Sequence, residues 1–416
     1  MRAVGLLLVL GLISLGGWLI TIHFLAERYL RQAQRALERQ RYAQAWEDLN
    51  RAKTFRPRSF EIHLQLARVA RQLGKFEEAD EHLRRCLDLH GGYPTEADQL
   101  ERLLLRAQTG EVEVVFPYLW PYVEEKRPEA AAVLEALCYG FVGEQLMAMA
   151  ERCIRRWRQI DPDNIQALVC EGWFWDQSGG PTPEAQENYA RALELDPERD
   201  DIRLRLGIAY LRAQNERKAI ACFKEVLRQD PHNEGAQLGL ATATRDIGKW
   251  KEARAMLTRF LEEHPNSAEA LRELAQVAME ENNYPEAEKL LRQVLEKEPY
   301  DYRALYGLHV CVRQSGRKVE GRELSVRLER VRRLERSLDN LIRGKLRAQP
   351  KDPEVRYQVG LLYEQLGVEA SASQWFLRTL QVDGDHQGAL KSMVRHHEKK
   401  GEKEKADEYR SRIRER

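Results

Sequence analysis

The densest group of titratable side chains in the sequence is His396-His397-Glu398. Two imidazoles beside a carboxylate carry the groups needed for acid–base chemistry or for binding one metal ion. They run into a stretch of lysines and glutamates over residues 399–405, and such charge runs are typical of a helix face in water. We therefore interpret the cluster as a solvated face and predict no metal site there.

Other arrangements that carry chemistry are missing from the sequence. It contains no Gly-x-Gly-x-x-Gly, Walker, His-Glu-x-x-His or Gly-x-Ser-x-Gly motif, so no phosphate cradle, zinc-protease helix or nucleophile elbow is indicated. Catalysis also requires groups that converge in one pocket. We predict that the chain is not an enzyme, takes no cofactor and has no small-molecule substrate.

The cysteines are scattered and include no Cys-x-x-Cys pair: Cys86, Cys138, Cys153, Cys170, Cys222 and Cys311. Zinc sites need such pairs or a Cys/His cluster at short spacing. Most of these cysteines lie among apolar residues at helical spacing, where a thiol packs as a small hydrophobic group. The pattern favours buried packing over metal binding or redox chemistry.

Charge gives little sign of a nucleic-acid partner. The 416 residues include 67 Lys and Arg against 66 Asp and Glu, whereas nucleic-acid binders usually carry a basic excess. A local excess exists over residues 317–347, with eleven basic and five acidic residues. We interpret that run as a solvated helix face, with an anion or lipid-headgroup surface as the alternative.

Residues 3–25 form an uncharged, mainly apolar stretch that ends before Glu27. Twenty-three helical residues at about 1.5 Å each can cross a hydrocarbon core of roughly 30 Å. We predict one transmembrane anchor, with a cleaved signal sequence as the alternative. Four arginines follow the segment within fifteen residues, which slightly favours a cytoplasmic remainder over an extracytoplasmic one.

Regularly spaced prolines divide a large part of the remaining chain into blocks of nearly equal length, at Pro162, Pro197, Pro231, Pro265 and Pro299. Blocks carry a small residue followed twelve positions later by alanine, as in Gly207 with Ala219 and Ala241 with Ala253. Small residues let two antiparallel helices approach closely, and proline ends the second helix. One hairpin cannot bury its apolar stripe, so neighbouring hairpins must stack.

These blocks resemble tetratricopeptide repeats. The unit with Leu206-Gly207-x-x-Tyr210, Ala219, Phe223 and Pro231 has most of the family pattern. The resemblance implies an all-α fold, a right-handed α-solenoid of helix-turn-helix repeats, here preceded by one transmembrane helix.

We expect six segments along the chain. They are an anchor at 1–25, two repeats at 26–93, a degenerate repeat at 94–130, a regular array at 131–299, a degenerate repeat with a long basic helix at 300–350, and closing repeats at 351–416.

The resemblance also implies a binding surface, because the family lines its concave face with fixed positions of each first helix. Those positions hold apolar groups beside arginines, which would suit an extended peptide or a partner helix. The candidate residues are Trp173, Asp176, Leu204, Ile208, Arg212, Leu238, Thr242, Arg245, Arg272, Gln276, Tyr306 and Arg313. Several of them could instead pack within or between repeats. The lysines and asparagines of the family's carboxylate clamp are not reproduced.

We therefore expect a non-catalytic, membrane-tethered scaffold that binds protein or peptide partners and no nucleic acid. The alternatives are an accessory factor in envelope or secretion assembly, and an exported repeat protein if the first segment is cleaved.

Overall fold

The computed structural model describes residues 23–177 and 182–413, and these residues form helices and turns with no strand. Residues 23–38 are helical and are named α1. The next helices are α2 (Tyr42–Phe55), α3 (Phe60–Gln72), α4 (Phe76–Leu89), α5 (Glu96–Arg106), α6 (Val112–Glu124), α7 (Ala130–Gly143), α8 (Met147–Ile160), α9 (Ile165–Gln177), α10 (Pro183–Leu195) and α11 (Asp200–Arg212). Then follow α12 (Glu216–Gln229), α13 (Glu234–Asp246), α14 (Trp250–Glu263), α15 (Ala268–Glu280), α16 (Tyr284–Lys297), α17 (Tyr302–Gln314), α18 (Lys318–Asn340), α19 (Pro353–Gln365), α20 (Glu369–Val382), α21 (Gln387–Lys399) and α22 (Lys403–Ser411). The predicted all-α repeat fold is confirmed.

A left-handed backbone residue ends the first helix of each regular hairpin. Gln214, Gly248, Asn282 and Gly316 have φ angles of 56°, 80°, 61° and 74° and follow one another at equal intervals along the chain. This conformation reverses the chain and is easiest for glycine, with asparagine the next most tolerant. The turn therefore recurs at the repeat period.

Side-chain caps begin the first helices at the same period. The side-chain oxygens of Asn233, Ser267 and Asp301 accept hydrogen bonds from the backbone N–H groups three residues later, at 3.0, 3.3 and 2.7 Å. A cap of this kind satisfies an N–H that the helix cannot, and is worth about 1 kcal/mol. Each hairpin is thus delimited locally, independently of its neighbours.

Small residues let the helices of a hairpin approach. The ring of Phe223 is fully buried and lies between two glycines: a Cβ added to Gly207 would be 2.7 Å from it, and one added to Gly239 would be 2.5 Å away. Contacts this short leave no space for a larger residue at either position. In the regular array the two helices of a hairpin pack together, α11 with α12, α13 with α14 and α15 with α16, and the first helices of successive hairpins also contact one another, α11 with α13, α13 with α15 and α15 with α17.

Two irregular segments interrupt this pattern. Between α5 and α6, Thr109 and Gly110 leave the helical conformation, and Gly110 has φ 105°. The long basic helix that we predicted within residues 300–350 begins at Lys318 and ends at Asn340, and a π-helical segment, Leu341–Leu346, follows it.

The chain divides into two units, residues 1–140 and 141–416. The first contains α1 to α6 and most of α7, with a core that includes Leu49, Ile62 and Leu66. The second contains α8 to α22, and its apolar clusters follow one another from hairpin to hairpin.

The predicted transmembrane segment needs correction. Residues 3–22 of the proposed span lie outside the described residues. Within the part of the chain that the structure describes, no helix is long and apolar enough to cross a membrane. This finding contradicts the predicted single-pass membrane localisation, and with it the preference for repeats on the cytoplasmic side.

A pair of buried histidines in the first unit is expected to make its stability dependent on pH. The Nδ1 atoms of His63 and His82 are 3.0 Å apart, and His63 Nε2 donates to the carbonyl oxygen of Pro57 at 3.0 Å. His63 Nδ1 is therefore the acceptor and His82 Nδ1–H the donor. Burial, reinforced by the charges of Lys53 and His63, lowers the pKa of His82 to about 4.

We expect this lowered pKa to destabilise the protein in mild acid. Between pH 6.5 and 4 the unfolded chain protonates His82 while the folded chain does not, so stability falls as the pH falls. The loss between pH 8 and pH 5 should be about 2 kcal/mol from this residue. Urea unfolding of the wild type and of His82→Phe at both pH values measures it. An equal pH dependence in the two proteins would contradict the assignment.

Candidate functional site

The candidate site is a pocket of about 310 Å³ formed by three successive first helices. It is called the central pocket below. Its walls come from the end of α13 (Arg245, Asp246), from α15 (Arg272, Glu273, Gln276, Met279, Glu280), from Leu291 of α16, and from α17 (Tyr302, Arg303, Tyr306, Gly307). The pocket exists because equivalent helix positions recur once in every repeat and face the same side.

Two arginines of the central pocket are held by acidic residues of this chain. Arg245 forms ion pairs with Glu273 and, at 2.6 Å, with Asp246. Arg272 pairs with Asp301 and, at 3.1 Å, with Glu298. The pairs with Glu273 and Asp301 join one hairpin to the next, and the partly buried geometry strengthens them relative to surface pairs.

The Glu273 carboxylate is well buried among these charges. Its side chain is 12% exposed, and burial raises its pKa, an effect that the positive charge of Arg245 opposes. Removing either partner would leave a charge in a poorly hydrated place, which is costly. Arg245 therefore has a structural role in addition to facing the pocket.

Aromatic surface is the part of the pocket that remains open to a ligand. Tyr306 is 55% exposed, and its ring stacks against Tyr302 with centroids 6.5 Å apart and planes inclined by 17°. Met279 and Leu291 line the same pocket. Arg303 is exposed and forms no ion pair with another described residue. An exposed tyrosine beside apolar groups and one guanidinium can bind a side chain that has an apolar body and a polar end.

Sequence models of the tetratricopeptide repeat match residues 60–90, 178–234, 216–277 and 244–310. The chain contains tetratricopeptide repeats. The predicted recognition of this repeat is confirmed for those residues, and the central pocket lies on helices that they supply. A search of curated proteins found no match.

Solved structures of repeat proteins are similar to the chain at low scores. The human IFIT1 dimer with m7Gppp-AAAA is 15% identical, over 85% of this chain and 89% of that chain, with a TM-score of 0.44. Yeast Tom70 is 12% identical, over 91% of this chain and 89% of that chain, with a TM-score of 0.40. A tetratricopeptide repeat protein from Parabacteroides merdae is 14% identical, over 69% and 99%, with a TM-score of 0.37. Likeness at this level supports no inference about function.

The structure places four of the twelve predicted site residues together in the central pocket: Arg245, Arg272, Gln276 and Tyr306. The other eight lie elsewhere on the first helices of the repeats. Leu204 and Leu238 are partly buried and pack against apolar clusters between hairpins. Thr242 and Trp173 are half-buried, whereas Ile208, Arg212 and Arg313 are exposed. Their proposed binding roles stay predictions.

Asp176 has partners inside the fold. Its Oδ2 accepts a hydrogen bond from the Tyr189 hydroxyl at 2.9 Å, and its Oδ1 lies 3.6 Å from Arg212 Nη1. Burial and the charge of Asp176 both raise the pKa of Tyr189. Asp176 thus links α9 to α10 and α11. This is the packing within and between repeats that is the alternative to partner binding for the candidate residues.

The pocket residues outside the predicted set include Met279, Leu291, Tyr302 and Arg303. The repeat period contains a signal for Met279, because it lies one repeat length after Arg245 and shares its position in the repeat. Tyr302 precedes the positions that the family pattern assigns to the concave face, and Leu291 belongs to a second helix. Only the packing of neighbouring hairpins brings these two into the wall.

The terminal histidine cluster does not converge on one point. His397 Nδ1 is 2.7 Å from Glu402 Oε2, and its ring stacks on Tyr409 with centroids 5.5 Å apart. Glu398 pairs instead with Arg410 at 2.5 Å. These contacts fasten α21 to α22, and His397 and Glu398 are directed to different partners.

Proposed function

We propose that the chain is a non-catalytic scaffold that binds a protein partner through an extended segment lying along the first helices of its repeats. The exposed Tyr306, stacked on Tyr302 in the central pocket, is the observation that carries this proposal. Aromatic side chains at the centre of an interface often supply a large part of the binding free energy.

The internal ion pairs define which partner side chain would enter the pocket. Arg245 and Arg272 already contact carboxylates of this chain, so an acidic ligand would have to compete with Glu273 and Asp301. An apolar or aromatic side chain meets no such competition and can contact Tyr306 and the apolar wall. We therefore infer that the partner's anchor side chain is apolar or aromatic. The guanidinium of Arg303 is available to a neighbouring carboxylate or carbonyl group of the partner.

Replacing Tyr306 by Ala should weaken this binding by tenfold or more, since truncating a central aromatic residue typically costs about 2 kcal/mol or more. Peptides selected from a displayed random library against the full chain provide the ligands, and calorimetric titration compares their affinities for the wild type and the variant. Tyr93 is 81% exposed and lies outside the helices, so Tyr93→Ala is the matched control.

Two results would contradict the proposal. One is a selection that yields no binder. The other is a set of peptides that bind Tyr306→Ala as tightly as the wild type.

A further inference from the structure

The outward face of α18 carries exposed arginines and valines. We name as the α18 stripe the residues Val319, Arg322, Val326, Arg330, Arg333 and Arg336, all of which are exposed. The opposite face buries Gly321, Leu324, Leu328 and Val331 against the fold. The stripe runs from Val319 to Arg336 within α18, so it is about 26 Å long at 1.5 Å per residue.

The arginines of the α18 stripe lack the ion pairs that some other arginines of the array form. Arg254 pairs with Glu281 and Glu286 at 2.5 and 2.7 Å, and Arg317 pairs with Glu288 and Glu320. In the described part of the chain, by contrast, Arg322, Arg330 and Arg336 have no hydrogen-bond or ion-pair partner. Arg333 donates only to the carbonyl oxygen of Glu329, at 3.3 Å. Four guanidinium groups on one face are thus available to a partner.

The stripe also carries apolar residues at a spacing that suits a helix. Val319 and Val326 are 71% and 69% exposed and lie seven residues apart. The six stripe residues follow each other by three or four residues, the spacing of a seam between two packed helices. A flexible or extended chain would not need apolar contacts at this interval.

We propose that the α18 stripe binds an acidic amphipathic helix of a partner protein. Its apolar residues would pack on Val319 and Val326, while its carboxylates would pair with the four arginines of the stripe. A second copy of this chain does not fit, because pairing two α18 stripes would place arginines against arginines. The surface lies on a different helix from the central pocket, so the inference does not depend on the proposed function.

The proposal is tested with the full chain and a labelled 21-residue helical peptide that carries leucines seven residues apart, flanked by glutamates. Fluorescence anisotropy measures its affinity, together with that of a scrambled peptide of the same composition and of a 20-nucleotide single-stranded RNA. We expect the helical peptide to bind at least tenfold more tightly than the scrambled one, and binding to weaken as salt rises.

Variants separate the α18 stripe from general charge. Arg330→Glu/Arg336→Glu should weaken peptide binding by at least tenfold, and Val326→Ser by about threefold to tenfold, as expected for lost charge and apolar contacts. Arg217→Glu/Lys251→Glu makes the same change in net charge on the exposed residues of α12 and α14 and should leave binding unchanged. Circular dichroism confirms that each variant is folded.

Three outcomes would overturn the proposal. The scrambled peptide could bind as well as the helical one. The Val326→Ser variant could bind the helical peptide normally while the RNA binds more tightly than either peptide, which would identify a phosphate-backbone surface. Sedimentation could show self-association that Arg330→Glu/Arg336→Glu abolishes.

Discussion

Replacing Glu144 by Ala is expected to lower the free energy of unfolding of the second unit by about 3 to 5 kcal/mol, the range measured when one partner of a buried ion pair is removed. The Glu144 side chain is 2% exposed and contacts two arginines, Arg356 at 3.2 Å and Arg378 at 2.6 Å. Without the carboxylate, both guanidinium groups would stay largely out of water with less compensation.

The surroundings of Arg378 show how strongly it depends on Glu144. Burial lowers the pKa of Arg378, and the charge of Glu144 is the largest influence that opposes this. The guanidinium also lies over the ring of Trp375, 4.5 Å from the centroid. Arg356 has other acceptors, the carbonyl oxygens of Pro350 and Arg378 at 2.7 and 3.3 Å. Removal of the Glu144 carboxylate should therefore leave mainly Arg378 without a compensating charge.

Chemical denaturation of Glu144→Ala and Glu144→Gln measures the effect. Glu151→Ala is the matched control, since Glu151 lies on α8, is 53% exposed and pairs with Arg155 one turn away. That exposed pair should contribute less than about 1 kcal/mol. A loss below about 1 kcal/mol in both Glu144 variants would show that the ion pairs are not needed.

The ion pairs of Glu144 should also determine the width of a cavity between segments of the second unit that are far apart in the sequence. A cavity of about 530 Å³ is lined on one side by Gln145, which follows Glu144 in the chain, with Met147 and Ala148, and on the other by Ile342 and Arg343. Spin labels at positions 148 and 343 would report its width. We expect a longer and broader distance distribution in Glu144→Ala than in the wild type.

The repeat period explains most of what could be predicted about the fold. Pro231, Gly207 and Ala219 each act within one hairpin or between neighbours, so their spacing contains the information needed to place them. The contact from Glu144 to Arg356 and Arg378 joins hairpins far apart in the chain. No short-range pattern encodes it, and it was not predicted.

The candidate site was predicted less completely for a related reason. Position within the repeat indicated that Arg245, Arg272 and Tyr306 lie on the first helices. It did not indicate that Glu273 and Asp301 neutralise the two arginines, because that depends on side-chain geometry between hairpins. The proposed function therefore places the partner's anchor side chain at Tyr306 and not at these arginines.

The second large effect is expected at Gly140 of α7, which is buried. A Cβ at this position would lie 2.2 Å from the backbone carbonyl oxygen of Ala107 and 2.9 Å from Val112 Cβ. Ala107 and Val112 are themselves fully buried and flank the turn at Thr109 and Gly110. A carbonyl group in a backbone turn cannot rotate aside as a side chain can.

Gly140→Ala should therefore destabilise the first unit by about 3 kcal/mol or more, the upper range for overpacking in a rigid core. Helix propensity works in the other direction, since alanine is favoured over glycine in a helix by about 1 kcal/mol. We predict a net loss of stability because the cost of the close contact with Ala107 exceeds the gain in helix propensity. Gly207→Ala should cost less, because the atom nearest to its Cβ, in the Phe223 ring, would lie 2.7 Å away, compared with 2.2 Å for the Ala107 carbonyl oxygen at Gly140.

Gly344→Ala separates the gain in helix propensity from the cost of steric contact. A Cβ at Gly344 meets no atom within 4 Å, so only the propensity gain should remain and stability should rise by up to about 1 kcal/mol. Thermal and urea unfolding of the three alanine variants should thus order them Gly344, Gly207, Gly140 from most to least stable. If Gly140→Ala were as stable as the wild type, the α7 backbone would have to lie farther from Ala107, and the tight packing of α7 on that turn would be wrong.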